Sequence, residues 1–251
     1  AGGHALFGLI HSVSAAEGWI DMRLRLIPIY SVLSVTGLLM VSPLILTLFT
    51  SLKTPQQIFA DPWLAPIPAT LENFVRAWYT GRFNVYFKNS LIISSADAVL
   101  MIPVAAAAAY ALTFIAFPGR QAVLIYFLAG LMVPATGIII PLYVVMRELG
   151  LINKHLGVIL ADISLAMPVF IFLMRAYYQN LPSQLLDAAR VDGAGDFRIF
   201  WNIMLPLAKP AVITTALLEF LWSWNDLLLR LVFLTKDSLR TLSVGMLFFQ
   251  G

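Results

Sequence analysis

The chain has 251 residues, 60% of them hydrophobic and 12% charged, with 16 Lys+Arg against 13 Asp+Glu and a formal net charge of +3. A soluble domain carries about twice that charged fraction, so this composition, with a mean hydropathy of +0.87, excludes an ordinary soluble protein. The basic residues are scattered rather than clustered, which argues against a nucleic-acid partner, and the absence of cysteine removes disulfides, thiolate metal sites and thiol nucleophiles.

Residues 1–22 contain a short apolar patch, "ALFGLI", too short to span a bilayer and without a basic region before it. They read as a leader, mobile or lying at the membrane interface. The remainder, residues 23–251, reads as one transmembrane domain. A bilayer core needs about 20 consecutive apolar helical residues, and the uncharged runs Leu26 to Leu52 and Gln121 to Met146 exceed that. Five spans are predicted, over about 26–49, 91–114, 122–145, 156–174 and 210–229. The second holds the run "AAAAAY" and Asp97; the third Pro134 and Pro141; the fourth Asp162 and Pro168. The fifth opens on Pro210 and holds Glu219 and Asp226. Internal prolines are tolerated where neighbours satisfy the freed carbonyls, and here they suggest kinked helices around a pathway. The expected fold is an all-α, polytopic transmembrane helix bundle.

The connections differ in kind. Residues 51–88 form a long loop with Pro55, Pro62, Pro66 and Pro68, followed by "TLENFVRAWY", which suits a short amphipathic helix on the membrane surface. "FPGR" is a tight turn and "RELGLINKH" a short polar link. No full span fits after Arg230, so the span count is odd and the chain reads as incomplete at its C-terminal end. Alternation divides the Lys/Arg residues seven against nine between the two sides, which does not orient the protein. Discounting the long loop tips the balance toward a cytoplasmic 179–209.

That segment, 179–209, stands out. Residues 187–206 read "DAARVDGAGDFRIFWNIMLP", with five charges between apolar stretches. Pro182 and Ser183 suit a helix start, and Gln184–Val191 suits a short helix with Leu185 and Ala189 on one face. Gly193 falls where that helix should end in a left-handed residue. A second short helix is expected from Asp196, its carboxylate at the positive end, to about Met204, because Pro206 discourages helix at Leu205. An ordinary solvated loop is the plain alternative.

The spacing is more specific than that. Asp187, Ala188, Ala189, Gly193, Ile203, Leu205 and Pro206 fit the pattern E-A-A-x3-G-x9-I-x-L-P at every specified position except the first, where Asp187 replaces glutamate. This resembles the EAA loop of binding-protein-dependent ABC importer permeases, and "AARVDGAGDFRIFWNIMLPLAKPA" is most like the carbohydrate-type, maltose-permease-like branch. "YFKNSLIIS", "YALTFIAFPGR", "PLYVVMRELGLINKHLGVIL" and "LWSWNDLLL" carry the likeness over about residues 30–245.

The resemblance implies a cytoplasmic coupling helix between spans four and five, with Asp187, Ala188, Ala189, Arg190, Asp192, Gly193 and Ala194 meeting an ATPase subunit. It implies a second homologous permease subunit, two ATP-binding cassette subunits and an extracytoplasmic solute-binding protein, all working in the inner, cytoplasmic membrane of a bacterium or archaeon. Asp187 shortens the reach of the family's glutamate by one methylene. Members usually have a sixth span, and no stretch after Arg230 reads as one.

The chain lacks G-x-x-x-x-G-K-[ST], so ATP (with Mg) is expected in the partner ATPase subunits, and no cofactor, metal or catalytic residue in this chain. No Ser/His/Asp or paired-carboxylate arrangement marks it as an enzyme. Membrane lipid is the surrounding partner. Carboxylates deep in spans usually face a cavity or a partner. Glu219 and Asp226, seven apart, share a face of span five near Trp222, Trp224 and Asn225. These five residues are candidates for a substrate pathway in which aromatics stack on sugar rings and amides bind hydroxyls. Alternatively Asp226 sits at the membrane boundary and holds a subunit pair together, and Asp97 and Asp162 serve packing. An ion-coupled secondary transporter using Asp97, Asp162, Glu219 and Asp226 is the competing reading; it predicts internal helix repeats, which the sequence lacks.

Overall fold

A computed structural model describes residues 26–249 with their side chains and residues 3–25 as backbone; the leader read over residues 1–22 lies outside the residues described in full. Among the described residues every regular element is helical. The chain divides into two units, Ala1–Arg76 and Ala77–Gly251.

In the first unit, α1 (Gly3–Ser51) carries the span Leu26–Ser51, 26 residues long. At a rise of 1.5 Å per residue that is about 39 Å, more than a bilayer core of ~30 Å requires. Pro43 cannot donate to the carbonyl of Leu39, and the hydroxyl of Ser42 donates to it instead at 3.0 Å, so the helix continues unbroken. The loop that follows is better ordered than the sequence suggests. α2 (Pro55–Ala60) starts with Pro55 in its first turn and a reciprocal cap between Thr54 and Gln57. The buried Lys53 ammonium donates to the carbonyls of Asp61 (2.6 Å) and Pro62 (3.1 Å). Asn73, in α3 (Glu72–Tyr79), donates to the carbonyls of Ser51 and Lys53 at the end of α1, where helix carbonyls lack internal partners.

The second unit is built on α4 (Phe83–Phe114) and α7 (His155–Tyr178). α4 starts eight residues before the predicted span two, because "FNVYFKN" continues the helix beyond its apolar part. The ring of Tyr178 meets those of Tyr110 and Phe114 at 6.3 and 5.9 Å, and Ile93 shares an apolar cluster with Val158 and Ala161. The same ends therefore meet, and α4 and α7 run parallel. Ala105, Ala106 and Ala109 are buried along this seam, small residues that let two helices approach closely.

Parallel neighbours need a return crossing between them. α5 (Arg120–Leu131) and α6 (Ala135–Glu148) supply it, bent by 103° at Met132–Pro134. Span three was expected as one kinked helix over 122–145; it is two helices. Pro134 has an extended backbone (φ −68°, ψ 128°), and Val133 before it is pushed away from helical geometry. Pro103, Pro141 and Pro168, by contrast, sit inside continuous helices.

α8 (Gln184–Val191) follows α7. α9 (Asp196–Ile199) then passes through a π turn, Phe200–Met204, into α10 (Leu205–Leu207). Expecting helix to end at Met204 was wrong. Leu205 donates to the carbonyl of Phe200, five residues back, and this wider turn carries the helix past Pro206, which has no N–H to give. After a 76° bend, α11 (Lys209–Asn225) runs antiparallel to α7, with Thr215 beside Met174 and Ser223 beside Asp97. Seventeen residues rise only about 25 Å. The predicted fifth span of 210–229 instead breaks at Asp226–Leu227 and resumes as α12 (Leu228–Phe233). α13 (Leu242–Phe248) packs back on α4. Among the described residues three helices are long and apolar enough to cross a membrane, up to five if each bent pair counts as one span.

Candidate functional site

Two places gather the functional candidates. The first is α8, whose Gln184–Val191 bounds match the expectation. Ser183 does not cap it with its side chain; its carbonyl accepts from Leu186 and Asp187 instead. At the other end Gly193 has φ +79°. Its N–H donates to the carbonyl of Arg190 and that of Ala194 to the carbonyl of Ala189, each at 3.0 Å, a Schellman closure that only glycine makes without strain.

The buried face of α8 is not the Leu185–Ala189 pair but Leu186 and Ala189, in one apolar cluster with Tyr110, Tyr178, Ile199 and Phe200. Ala189 is thus turned into its own chain, whereas Ala188 faces outward with Asp187, Arg190, Asp192 and Gly193; Ala194 is half-buried. Arg190 reaches across the bend to Asp196 at 3.1 Å, both side chains 44% exposed. Sequence reasoning missed two outward apolar residues here, Val191 (88% exposed) and Phe197 (80%). Apolar side chains in an otherwise charged loop were the available signal.

The second place lies between the two apolar clusters of the second unit, about midway along α4. Arg230 of α12 is 1% exposed. Its Nη1 donates to Asp162 Oδ1 (3.1 Å) and Asp226 Oδ2 (2.6 Å), and its Nη2 to Ser223 Oγ (2.7 Å). Nη2 also lies 2.6 Å from Asp162 Oδ2 and 3.5 Å from Asp97 Oδ2. Ser223 donates to Asp97 at 2.6 Å. One guanidinium thus ties α4, α7, α11 and α12 together. The sequence reading left Arg230 outside the membrane as a flanking charge. The break at Asp226–Leu227 instead turns it back among the acids, and its spacing of four from Asp226 was the sequence signal.

A cleft of about 250 Å³ opens beside this network, lined by Ala135, Asp162, Glu219, Trp222, Ser223 and Asp226 among others. Residues 219, 222, 223 and 226 form one helical stripe, so the structure brings Glu219, Trp222 and Asp226 together. It does not bring Trp224 and Asn225 to the cleft, because they fall off that stripe. Trp224 packs against Phe87 and Phe220 (5.4 and 5.6 Å), and Asn225 donates to the carbonyl of Leu221. Asp226 accepts from Arg230 of its own chain.

These parts make up a multi-pass helical bundle with a short helix, α8, between two spans and a polar cleft beside the Arg230 network. Residues 100–248 match the family described as binding-protein-dependent transport system inner membrane component. The chain is 32% identical over 217 residues to the diacetylchitobiose uptake system permease protein NgcG of Streptomyces coelicolor, covering 86% of this chain and 72% of that protein. It is 34% identical to the trehalose/maltose transport system permease protein MalG of Thermococcus litoralis, covering 75% and 68%. In fold it matches a bacterial ABC transporter involved in importing the acidic polysaccharide alginate, with a TM-score of 0.78 at 24% identity, over 97% of this chain and 80% of that one. The chain belongs to the family of inner membrane components of binding-protein-dependent transport systems. It is a multi-pass membrane permease, and its family is one of transporters rather than enzymes.

Proposed function

We propose that this permease is one transmembrane subunit of an ATP-driven importer for a sugar or sugar-like solute. It pairs with a second homologous subunit and with two ATPase subunits that bind ATP with Mg. The solute is handed over by an extracytoplasmic binding protein at the cytoplasmic membrane of a bacterium or archaeon. The sugar reading is supported by relatives named for diacetylchitobiose and for trehalose/maltose uptake.

One observation carries the coupling role. α8 is locked to the core by Leu186 and Ala189 and closed by Gly193, yet Val191 and Phe197 beside it stand almost fully exposed. A short rod held that firmly moves as a rigid body with the spans at its ends. Its outward apolar and charged residues offer an ATPase both contact area and register. Asp187, Ala188, Arg190, Asp192 and Gly193 form the contacting surface, and Ala189 and Ala194 hold the rod in place. Glu219, Trp222 and Asp226 line the solute path. An ion-coupled carrier is disfavoured by the family, and Arg230 already engages Asp97, Asp162 and Asp226.

Gly193→Asp tests the lever. A Cβ there meets open space, so the cost is backbone strain of about 1 kcal/mol rather than collision. The variant is expected to insert at normal levels but to separate ATP hydrolysis from uptake in vesicles carrying the complete assembly. Normal uptake by the variant contradicts the assignment.

A further inference from the structure

The lining of the membrane-depth cleft has a consistent chemical sign. Its polar members are Asp162, Glu219, Ser223 and Asp226, and no Lys, Arg or His lines it. The nearby cation, Arg230, is 1% exposed and engaged with Asp162, Asp226 and Ser223. Glu219 is 2% exposed, and its Oε2 has no hydrogen-bond partner among the described residues. A buried carboxyl oxygen left bare is costly unless something else meets it. Among the described residues no three acidic or histidine side chains converge closely enough to hold a metal ion. A ligand that brings its own donors on a larger frame would meet this oxygen. Trp222, 52% exposed with its ring 5.5 Å from that of Phe170, offers a flat apolar face at the rim. A ring carrying hydroxyl or ammonium donors fits both features.

We propose that this cleft reads the charge of the solute, admitting neutral and amino sugars and discriminating against uronates and sugar phosphates. The proposal rests on the sugar-pathway reading above and adds a substrate class to it. A hydroxyl or ammonium donates to Glu219 and Asp226, whereas an anion faces carboxyl groups with no free cation beside them. Like charges brought together in a desolvated site are what interfaces use to reject wrong partners. The alginate importer that shares the fold takes an acidic polysaccharide; this lining predicts the opposite preference.

The test uses the purified assembly of permease and ATPase subunits without its binding protein, so that any selectivity belongs to the membrane part. It is titrated with maltose, a glucosamine disaccharide and digalacturonate while tryptophan fluorescence is followed, and Trp222→Phe identifies the reporting ring. Maltose and the glucosamine disaccharide are expected to bind, with digalacturonate weaker by about tenfold or more, a difference of roughly 1.4 kcal/mol. Glu219→Gln is expected to narrow that gap to less than about threefold. Selectivity is a ratio within one preparation, so partial loss of folded protein cancels. Where that variant does not assemble, Ala135→Lys, which places a cation in the same lining, is expected to narrow the gap in the same way, and an unchanged gap overturns the inference. Digalacturonate binding as tightly as maltose, or a gap unchanged in Glu219→Gln, overturns the charge inference and leaves the pathway reading standing. Failure of all three sugars to bind overturns both.

Discussion

At the scale of single residues, Arg230 ties four helices of the second unit together. Two charges removed from water are expensive, and a buried pair holds only when its geometry and remaining hydrogen bonds are complete. Here the guanidinium meets Asp162 and Asp226 through Nη1 and Ser223 through Nη2. Arg230→Met leaves Asp97 and Asp162 buried without a counter-charge and is expected to cost about 3–5 kcal/mol, read as a lowered Tm in detergent. Arg230→Lys rescues only part of this, because one ammonium cannot reproduce a planar fork. The Arg190–Asp196 pair is 44% exposed on both sides, so Arg190→Ala should cost less than about 1 kcal/mol. Equal losses for Arg190→Ala and Arg230→Met contradict this ranking. Asp97 and Asp162 were legible in the sequence as packing groups, because acids inside apolar spans need partners. Their partner was not, since hydropathy marks where a span ends but not whether the chain then turns back.

At the scale of elements, punctuation decided what could be read. α8 had a start at Pro182–Ser183 and a stop at Gly193, and its limits were readable from them. The break in span three was not, because Pro134 breaks the helix while Pro103 and Pro168 do not, and one sequence pattern covers both outcomes. The π turn before Pro206 was illegible for the same reason: local propensity forbids what a five-residue hydrogen bond permits. The α4–α13 contact gives a test of packing. A Cβ on Gly245 would collide with the ring of Tyr86, which is buried and donates to Asp237 at 2.6 Å. Gly245→Ala is therefore expected to destabilise by about 1–3 kcal/mol through overpacking, seen as a lower unfolding temperature in detergent. An unchanged unfolding temperature shows that the ring moves freely.

At the scale of the whole molecule, the proposed lever, α8, and the cleft lie on one stretch of chain. α8 hangs from α7, and through α9 and α10 it is continuous with α11, whose inner stripe carries Glu219, Trp222 and Asp226. In the proposed coupling a push on α8 would reach the wall of the cleft along this stretch of chain, while the Arg230 network holds α11 to α4 and α7. The order of these parts was legible because the loop pattern fixed one end and the intramembrane acids marked the other. Which acids share a wall was not, since it depends on the helical phase of α11. The chain contains no cysteine, so Val191→Cys creates a unique handle on the exposed rod. In inside-out vesicles holding the complete assembly, that cysteine is expected to cross-link to an ATPase subunit, with a yield that changes when nucleotide is added. A Val191→Cys side chain that reacts with an impermeant maleimide from the outer face of intact cells, and never joins an ATPase subunit, contradicts the account.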